Sequence, residues 1–291
     1  MGTDDGRIHV SRDAGNSWQR IDTGLPADKW VTRVRASAHE RGRVYATLNG
    51  YRDDDFRTLA YRSDDFGQSW QAIFTEISAE PVNDICEDPV NPDLLYLATD
   101  HALYVSLNGG QTAQVLSDDL PYVAVHDVEV QPDARDLIVG THGRSIYVGS
   151  VKELQQLTTD KLTEPLVLFA PEKIRHSSRW GNDTYPWDEP DEIRVEMPFF
   201  VRAKSDVLLE VFFNNVVIAT RKFSAEAGLH RYAYDLRVDP ERVKAYQKAL
   251  DKKVVSEYEA AKDGGYYLRE GAYTVRMKAN GASGEAELRI Q

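Results

Sequence analysis

The sequence predicts an all-β chain in two parts, about three and a half four-stranded propeller blades followed by an immunoglobulin-like β-sandwich with one inserted α-helix. Three observations carry that expectation. A turn, Ser11-Arg12-Asp13-Ala14-Gly15-Asn16-Ser17-Trp18, returns as Ser63 to Trp70 and, altered, as Ser106 to Ala113. A tight turn repeating at roughly forty residues is the mark of a propeller or solenoid rather than of one unique domain. Around each turn short alternating segments recur, and after Val148 the repeat gives way to a second set of strands from Ile193 onward. The expected boundaries are therefore 1–150 for the repeats, 151–192 for a linker and junction, and 193–291 for the sandwich.

In the best-defined repeat the four segments are Val82 to Glu87, Leu94 to Thr99, Ala102 to Ser106 and Thr112 to Leu116, parted by Pro, Asn, Asp and Gly clusters. The repeat before it starts its first strand at Val31 to Arg35, and the one after it at Val125 to Val130. Ser63 to Ser106 and Ser106 to Gly149 are equally spaced, whereas Ser11 to Ser63 is longer. The extra residues fall in Asn49 to Thr58, which reads as an extended hairpin tip. Gly2-Thr3 aligns with Gly140-Thr141 near the end of a second blade strand, so the chain is expected to open inside a blade. Propellers close with at least four blades, so upstream sequence or another chain is expected to supply the rest, because an open stack exposes an edge strand.

Lys152 to Thr163 reads as a polar linker, followed by the apolar Leu166 to Pro171. The sandwich strands are expected at Ile193 to Met197, Val207 to Phe213, Val216 to Phe223, Leu229 to Arg237, Ala272 to Lys278 and Glu285 to Ile290. Asn214-Asn215 is a two-residue hairpin signal, since Asn tolerates positive φ. Asp239-Pro240-Glu241 supplies a cap, a first-turn proline and an early acid for a helix whose apolar positions Val243, Tyr246, Leu250, Val254 and Tyr258 recur at helical spacing until Gly264-Gly265.

The chain of 291 residues carries a formal charge of −12. That balance disfavours nucleic acid and anionic membrane surfaces, which need clustered Lys and Arg. No apolar run is long enough to cross a membrane, and the residues before the first repeat show no basic stretch followed by an apolar one, the pattern of a signal peptide. The single cysteine, Cys86, lies in an alternating strand and is expected to be buried, so no disulfide framework exists within the chain. The histidines have no metal-ligand spacing, and neither a metal nor another cofactor is expected.

The repeated turn has a local explanation. Ser11 and Asp13 can bond backbone amides, Gly15 can take positive φ, and Trp18 anchors the next strand; Ser63, Asp65, Gly67 and Trp70 do the same one repeat later. These residues match the Asp-box of sialidase-like and sortilin-type propellers. Pro121 to Val148, with Asp136-Leu137-Ile138-Val139-Gly140-Thr141-His142-Gly143-Arg144-Ser145-Ile146-Tyr147, resembles the closing blade of large bacterial proteins labelled BNR-repeat, sortilin-like or glycosyl-hydrolase-like. Leu229 to Arg237 and Gly271 to Val275 resemble the immunoglobulin-like domain that follows it, related to one in flagellar hook-capping proteins. The third turn departs from the pattern, with Asn108 for Asp and Ala113 for Trp. The resemblance implies an exported bacterial protein in which this chain is a non-catalytic binding or scaffold portion. Its partners are then further blades, a protein complex or a glycan. The alternative is part of a sialidase-like or xyloglucanase-like glycoside hydrolase whose catalytic carboxylates lie mostly in other blades.

Candidate ligand-binding residues fall in two places. Asp53, Asp54 and Asp55 form an acidic cluster on the inserted tip, where glycoside hydrolysis would need two carboxylates across a sugar and calcium would need converging oxygens. Adjacent Asp residues do not point one way, and a solvated tip beside Arg52 and Arg57 is the plainer expectation. Trp180, Tyr185 and Trp187, among Asp183, Asp188 and Asp191, form an aromatic and acidic segment that suits sugar stacking or the packing of a domain junction. His142 and Arg144 sit beside Gly143 at a turn position.

Overall fold

The structure is a computed structural model that describes residues 1–116, 120–182, 193–250 and 258–291. The all-β expectation holds: the elements are almost entirely antiparallel strands. The chain forms two compact units, Met1–Thr159 and Asp160–Gln291.

The first unit is built of four successive sheets. The first pairs β1 (His9–Val10) with β2 (Gln19–Arg20). The second is a meander of β3 (Trp30–Ala36), β4 (Val44–Gly50), β5 (Asp55–Ser63) and β6 (Gln71–Ile73). The third repeats it as β7 (Val82–Glu87), β8 (Leu95–Thr99), β9 (Leu103–Ser106) and β10 (Gln114–Val115). The fourth has β11 (Val125–Gln131), β12 (Asp136–Thr141) and β13 (Ile146–Ser150). The leading strands share a defect: the register slips between Val31 and Arg33, between Val82 and Asp84, and between Val125 and Asp127. A bulge at one position of three successive repeats sharpens local twist and re-aims the bulged side chain.

Apolar residues of neighbouring sheets fill the space between them. Ile8 and Ile21 pack with Val31, Ala46, Leu48 and Leu59, and Tyr45, Ala60, Ile73 and Phe74 pack with Val82, Ile85, Leu95 and Leu97. Each sheet thus buries a face only by having a neighbour. Cys86 is a buried free thiol, as expected, in a strand buried along almost its whole length, β7.

The segment expected as a polar linker is partly helical. Helix α1 (Lys152–Gln156) buries Leu154 and Gln155. The Gln155 side chain donates to Asp88 at 2.9 Å, and the Leu157 carbonyl accepts from Asn91 at 3.4 Å, which fastens this stretch to the first unit. Five residues are too few for periodicity to reveal.

The second unit has two sheets. One contains β14 (Leu166–Leu168), β15 (Val195–Val201) and β18 (Gly228–Tyr234); the other is ordered β17 (Val216–Ala225), β16 (Ser205–Phe213), β19 (Gly271–Ala279), β20 (Ala282–Ile290). Their inward side chains, among them Met197, Phe199, Leu209, Val211, Val275 and Leu288, share one core. Asn214 and Asn215 both take positive φ, 47° and 64°, as a two-residue hairpin requires. Helix α2 (Val243–Ala249) is shorter than its periodicity suggested: Leu250 is already extended, with ψ 158°. Val254 lies outside the described residues, and Tyr258 is buried in the core beyond the helix. Nor does Asp239 cap the helix. Its carboxylate accepts from the Thr220 amide at 2.8 Å and from Arg221 at 2.5 Å, so it ties the helix entry to β17 instead.

Candidate functional site

The three repeated turns have one hydrogen-bond geometry. In the first, the Gly15 amide donates to Ser11 Oγ at 2.6 Å, the Ser17 amide to Asp13 Oδ1 at 2.8 Å, and the Ser17 hydroxyl to Asp13 Oδ2 at 2.6 Å. In the second the matching bonds are Gly67 to Ser63 at 2.8 Å and Ser69 to Asp65 at 2.9 and 2.6 Å. The third keeps the pattern with an amide in place of the carboxylate: Gly110 donates to Ser106 at 2.8 Å, the Thr112 amide to Asn108 Oδ1 at 2.9 Å, and Asn108 Nδ2 to the Thr112 hydroxyl at 2.9 Å. Donor and acceptor exchange in that last bond, and the turn survives. The bonds from Ser69, hydroxyl first and then amide, hold the Asp65 carboxyl down at about 2. Asp13 is lowered for the same reason, through Ser17. A carboxylate so committed does not donate a proton near neutral pH.

Sheet register fixes where the turns lie. Ser63 pairs with Val44 and Ser106 with Leu95, so the repeated turns sit at one end of the sheets. Trp30 pairs with Asn49, Val82 with Thr99 and Val125 with Thr141, so the hairpin tips at Tyr51–Asp53, Asp100–His101 and His142–Arg144 sit at the other. The bulged residues face that second end and join its repeats. Thr32 Oγ1 and Asn49 Nδ2 both donate to the Val82 carbonyl at 3.2 Å, and Asn83 Nδ2 donates to the Val125 carbonyl at 3.0 Å.

The tip end carries exposed rings. Trp30 is 37% exposed, Tyr51 46% and Tyr122 81%. The Arg52 guanidinium lies over Trp30 at 5.3 Å and over Tyr51 at 5.8 Å. Tyr122 stacks on His101 at 4.9 Å, and His101 Nδ1 lies 3.2 Å from the Glu80 carboxylate. His126 in β11 and His142, directly after its paired strand β12, bring their rings to 5.3 Å. Among the described residues no group of three or more His, Cys, Asp and Glu could hold a metal ion. Sequence reading passed over Trp30 and Tyr122; their signal was position, each preceding the bulge of a leading strand.

Of the three tip acids, Asp53 and Asp55 flank a lysine. Lys29 Nζ lies 3.4 Å from Asp53 and 3.7 Å from Asp55. Asp55 also takes Arg57 at 2.7 Å, and that bond, ahead of the charge of Lys29, holds its carboxyl well below the ordinary carboxylate range. Asp54 closes the tip in the left-handed region with φ 56°.

Asp84 is a buried carboxylate of the first unit, fully shielded from solvent. Arg33 Nε reaches it at 2.7 Å, Arg35 Nη2 at 3.2 Å and the Val128 amide at 3.1 Å. The same arginines extend to Asp127 at 2.6 Å and Glu129 at 2.7 Å on the next sheet. Burial raises the Asp84 carboxyl above its ordinary value while Arg35 and Arg33 pull it down. This ladder clasps three sheets and leaves the buried carboxylate enclosed by donors. Arg33, Asp84 and Asp127 occupy one repeat position, which superposing the repeats would have disclosed.

In the second unit, Trp180 is only 5% exposed and belongs to the core, edge-on to His176 at 5.1 Å. That burial corrects its reading as a sugar platform, because stacking needs an open ring face. Tyr185 and Trp187 lie outside the described residues. A cavity of about 230 Å³ beside Trp180 is lined by His176, Asn182, Tyr258, Tyr267 and Arg269. Burial, then the charge of Arg269, lowers the His176 pKa from its ordinary 6.5.

No family model matches the chain. No curated protein matches it either. Among solved structures it is similar to the extracellular domain of the hybrid two component system BT4673 from B. thetaiotaomicron, at 10% identity and TM-score 0.37, covering 100% of this chain and 36% of that one. It is similar to an ancestral GH74 enzyme at 15% identity and TM-score 0.41, covering 94% and 37%. A third is YCF48 from Cyanidioschyzon merolae, at 12% identity and TM-score 0.39, covering 80% and 62%. The chain therefore spans little more than a third of the length of the first two.

Proposed function

We propose that the first unit is a run of Asp-box propeller blades, that the second is an immunoglobulin-like sandwich, and that the chain is a non-catalytic binding or scaffold portion of an exported bacterial protein. It acts with further blades and presents the tip end of its sheets to a glycan or protein. The observation that carries this reading is the row of open rings at that end, Trp30, Tyr51 and Tyr122, with Arg52 beside the first two. Rings with one face in solvent stack on sugar rings and anchor protein contacts at low entropic cost. Three of the acids singled out in sequence favour binding over hydrolysis. Asp13 and Asp65 are held by their own turns and Asp55 by Arg57 and Lys29, so none is poised as a general acid. Export rests on the Asp-box resemblance; among the described residues no helix is long and apolar enough to cross a membrane.

Titration of the full chain with xyloglucan, β-glucan and sialylated oligosaccharides tests the glycan form of the proposal. Binding is expected to fall at least about tenfold in the Trp30→Ala, Tyr51→Ala double variant, the loss of more than 1.4 kcal/mol expected for removing two stacking rings. An unchanged affinity in that variant, with its far-UV circular dichroism intact, would remove the tip end as the binding surface. Release of reducing sugar by the chain would favour the glycoside hydrolase alternative.

A further inference from the structure

The contact between successive sheets has a fixed grammar. Gly67, in the second turn, is buried, and a Cβ there would lie 2.5 Å from Ile21 Cδ1, at the end of the preceding outer strand. Gly110, in the third turn, is also buried, and its Cβ would lie 2.9 Å from Ile73 Cβ. Ile21 and Ile73 occupy the same place in their repeats, three residues after Trp18 and Trp70. The turn glycine is thus a notch that seats the isoleucine of the sheet before it. Polar bonds latch the seat: Trp70 Nε1 donates to the Ile21 carbonyl at 2.7 Å, and the Phe74 amide donates to the Gly110 carbonyl at 2.7 Å.

The first turn has the same notch and the indole latch of the second turn, with nothing in them. Gly15 has φ +93° and no heavy atom within 4 Å of its Cβ position. Trp18, the counterpart of Trp70, is 51% exposed, and both residues of β2 are exposed. The turn bonds match those of the seated turns, so the surface is formed before anything occupies it.

From this we infer that the Gly15–Trp18 face is a docking surface for one further four-stranded repeat, whose outer strand ends in an isoleucine or similar aliphatic residue. That side chain enters the Gly15 notch, and its own backbone carbonyl accepts from Trp18 Nε1. The other exposed end of the unit in a second copy does not supply this occupant. The fourth sheet stops at β13, and the chain passes into α1 without an outer strand of the Ile21 kind. The inference deepens the proposal that the first unit acts with further blades and is independent of what the tip end binds.

The chain's own sequence provides the probe. Gly2-Thr3 is the counterpart of Ala98-Thr99, so a copy of residues 30–97 joined directly to Gly2 places strands like β7 and β8 beside β1 and a full repeat, with its own Ile73, ahead of Gly15. Residue-resolved oxidation footprinting of the extended and original chains reads the outcome. Docking predicts that Trp18 oxidation slows several-fold, toward the rate of Trp70. Changing the added copy's Ile73 to Ala is expected to restore fast oxidation of Trp18 while Trp30 and Trp70 of the original repeats keep their rates. An extension that folds and leaves Trp18 oxidising as before, or one that stays unfolded on an otherwise native chain, overturns the inference. Glycan titration of the extended chain separates the two proposals, since loss of glycan binding does not alter Trp18 protection.

Discussion

The first repeated turn and the second are the same object in two settings. Their internal bonds agree to within about 0.2 Å at each matched position, yet Gly67 is buried under Ile21 and Gly15 stands open. The difference separates what a turn makes for itself from what a neighbour adds. The serine, the carboxylate and the positive-φ glycine shape the loop without tertiary help. Burial of that loop, and the latch from the indole, come only with a preceding sheet.

The comparison breaks most sharply at the glycines. Alanine at position 67 meets both the left-handed backbone and Ile21, and should cost about 2–5 kcal/mol, combining backbone strain with overpacking. Alanine at position 15 meets the backbone alone and should cost about 1–2 kcal/mol. Urea unfolding of the two variants reads the gap; equal losses would mean that the isoleucine seat contributes nothing. A smaller difference is expected at the tryptophans. Trp70→Phe removes the bond to the Ile21 carbonyl and should cost about 1 kcal/mol, whereas Trp18→Phe should stay within about 0.5 kcal/mol. Matching thermal shifts for that pair would dissolve the latch.

The smallest effect concerns pH. Asp65 titrates at about 2 in the fold against an ordinary 3.8, so its contribution is complete above 3.8 and is lost as pH falls through about 2. Asp65→Asn should keep the turn, as Asn108 does with Thr112, and should flatten the acid limb of stability between those values. An acid limb unchanged in slope would assign it to other carboxylates.

Much of this arrangement was legible in the order of residues, and the misses have physical causes. Strands β7 to β9 lie within a residue of where the flanking turn clusters put them, although they are buried along nearly their whole length. Helix α1 is too short to show a period, and the end of α2 is set by Leu250 and Tyr258 entering the sandwich core, which spacing alone does not disclose. Trp180 looked like a surface ring because its polar neighbours dominate the local composition; besides the nearby His176 it packs on Tyr267, which comes from elsewhere in the unit. The Asp84 ladder was hidden for the opposite reason. Each of its members looks ordinary in its own strand, and the charges meet only when three repeats are laid side by side.

The lone thiol gives the first unit a clock. Cys86 is buried in β7, and burial, ahead of the opposing charge of Arg35, pushes it up to about 12, so it stays protonated and out of reach of alkylating reagents in the closed fold. A reagent in solution reacts only during the moments when the third sheet swings open. The rate of labelling therefore counts those openings on the untouched protein, with no second cysteine to blur the reading, and it should slow with every neighbour that holds the stack of sheets shut.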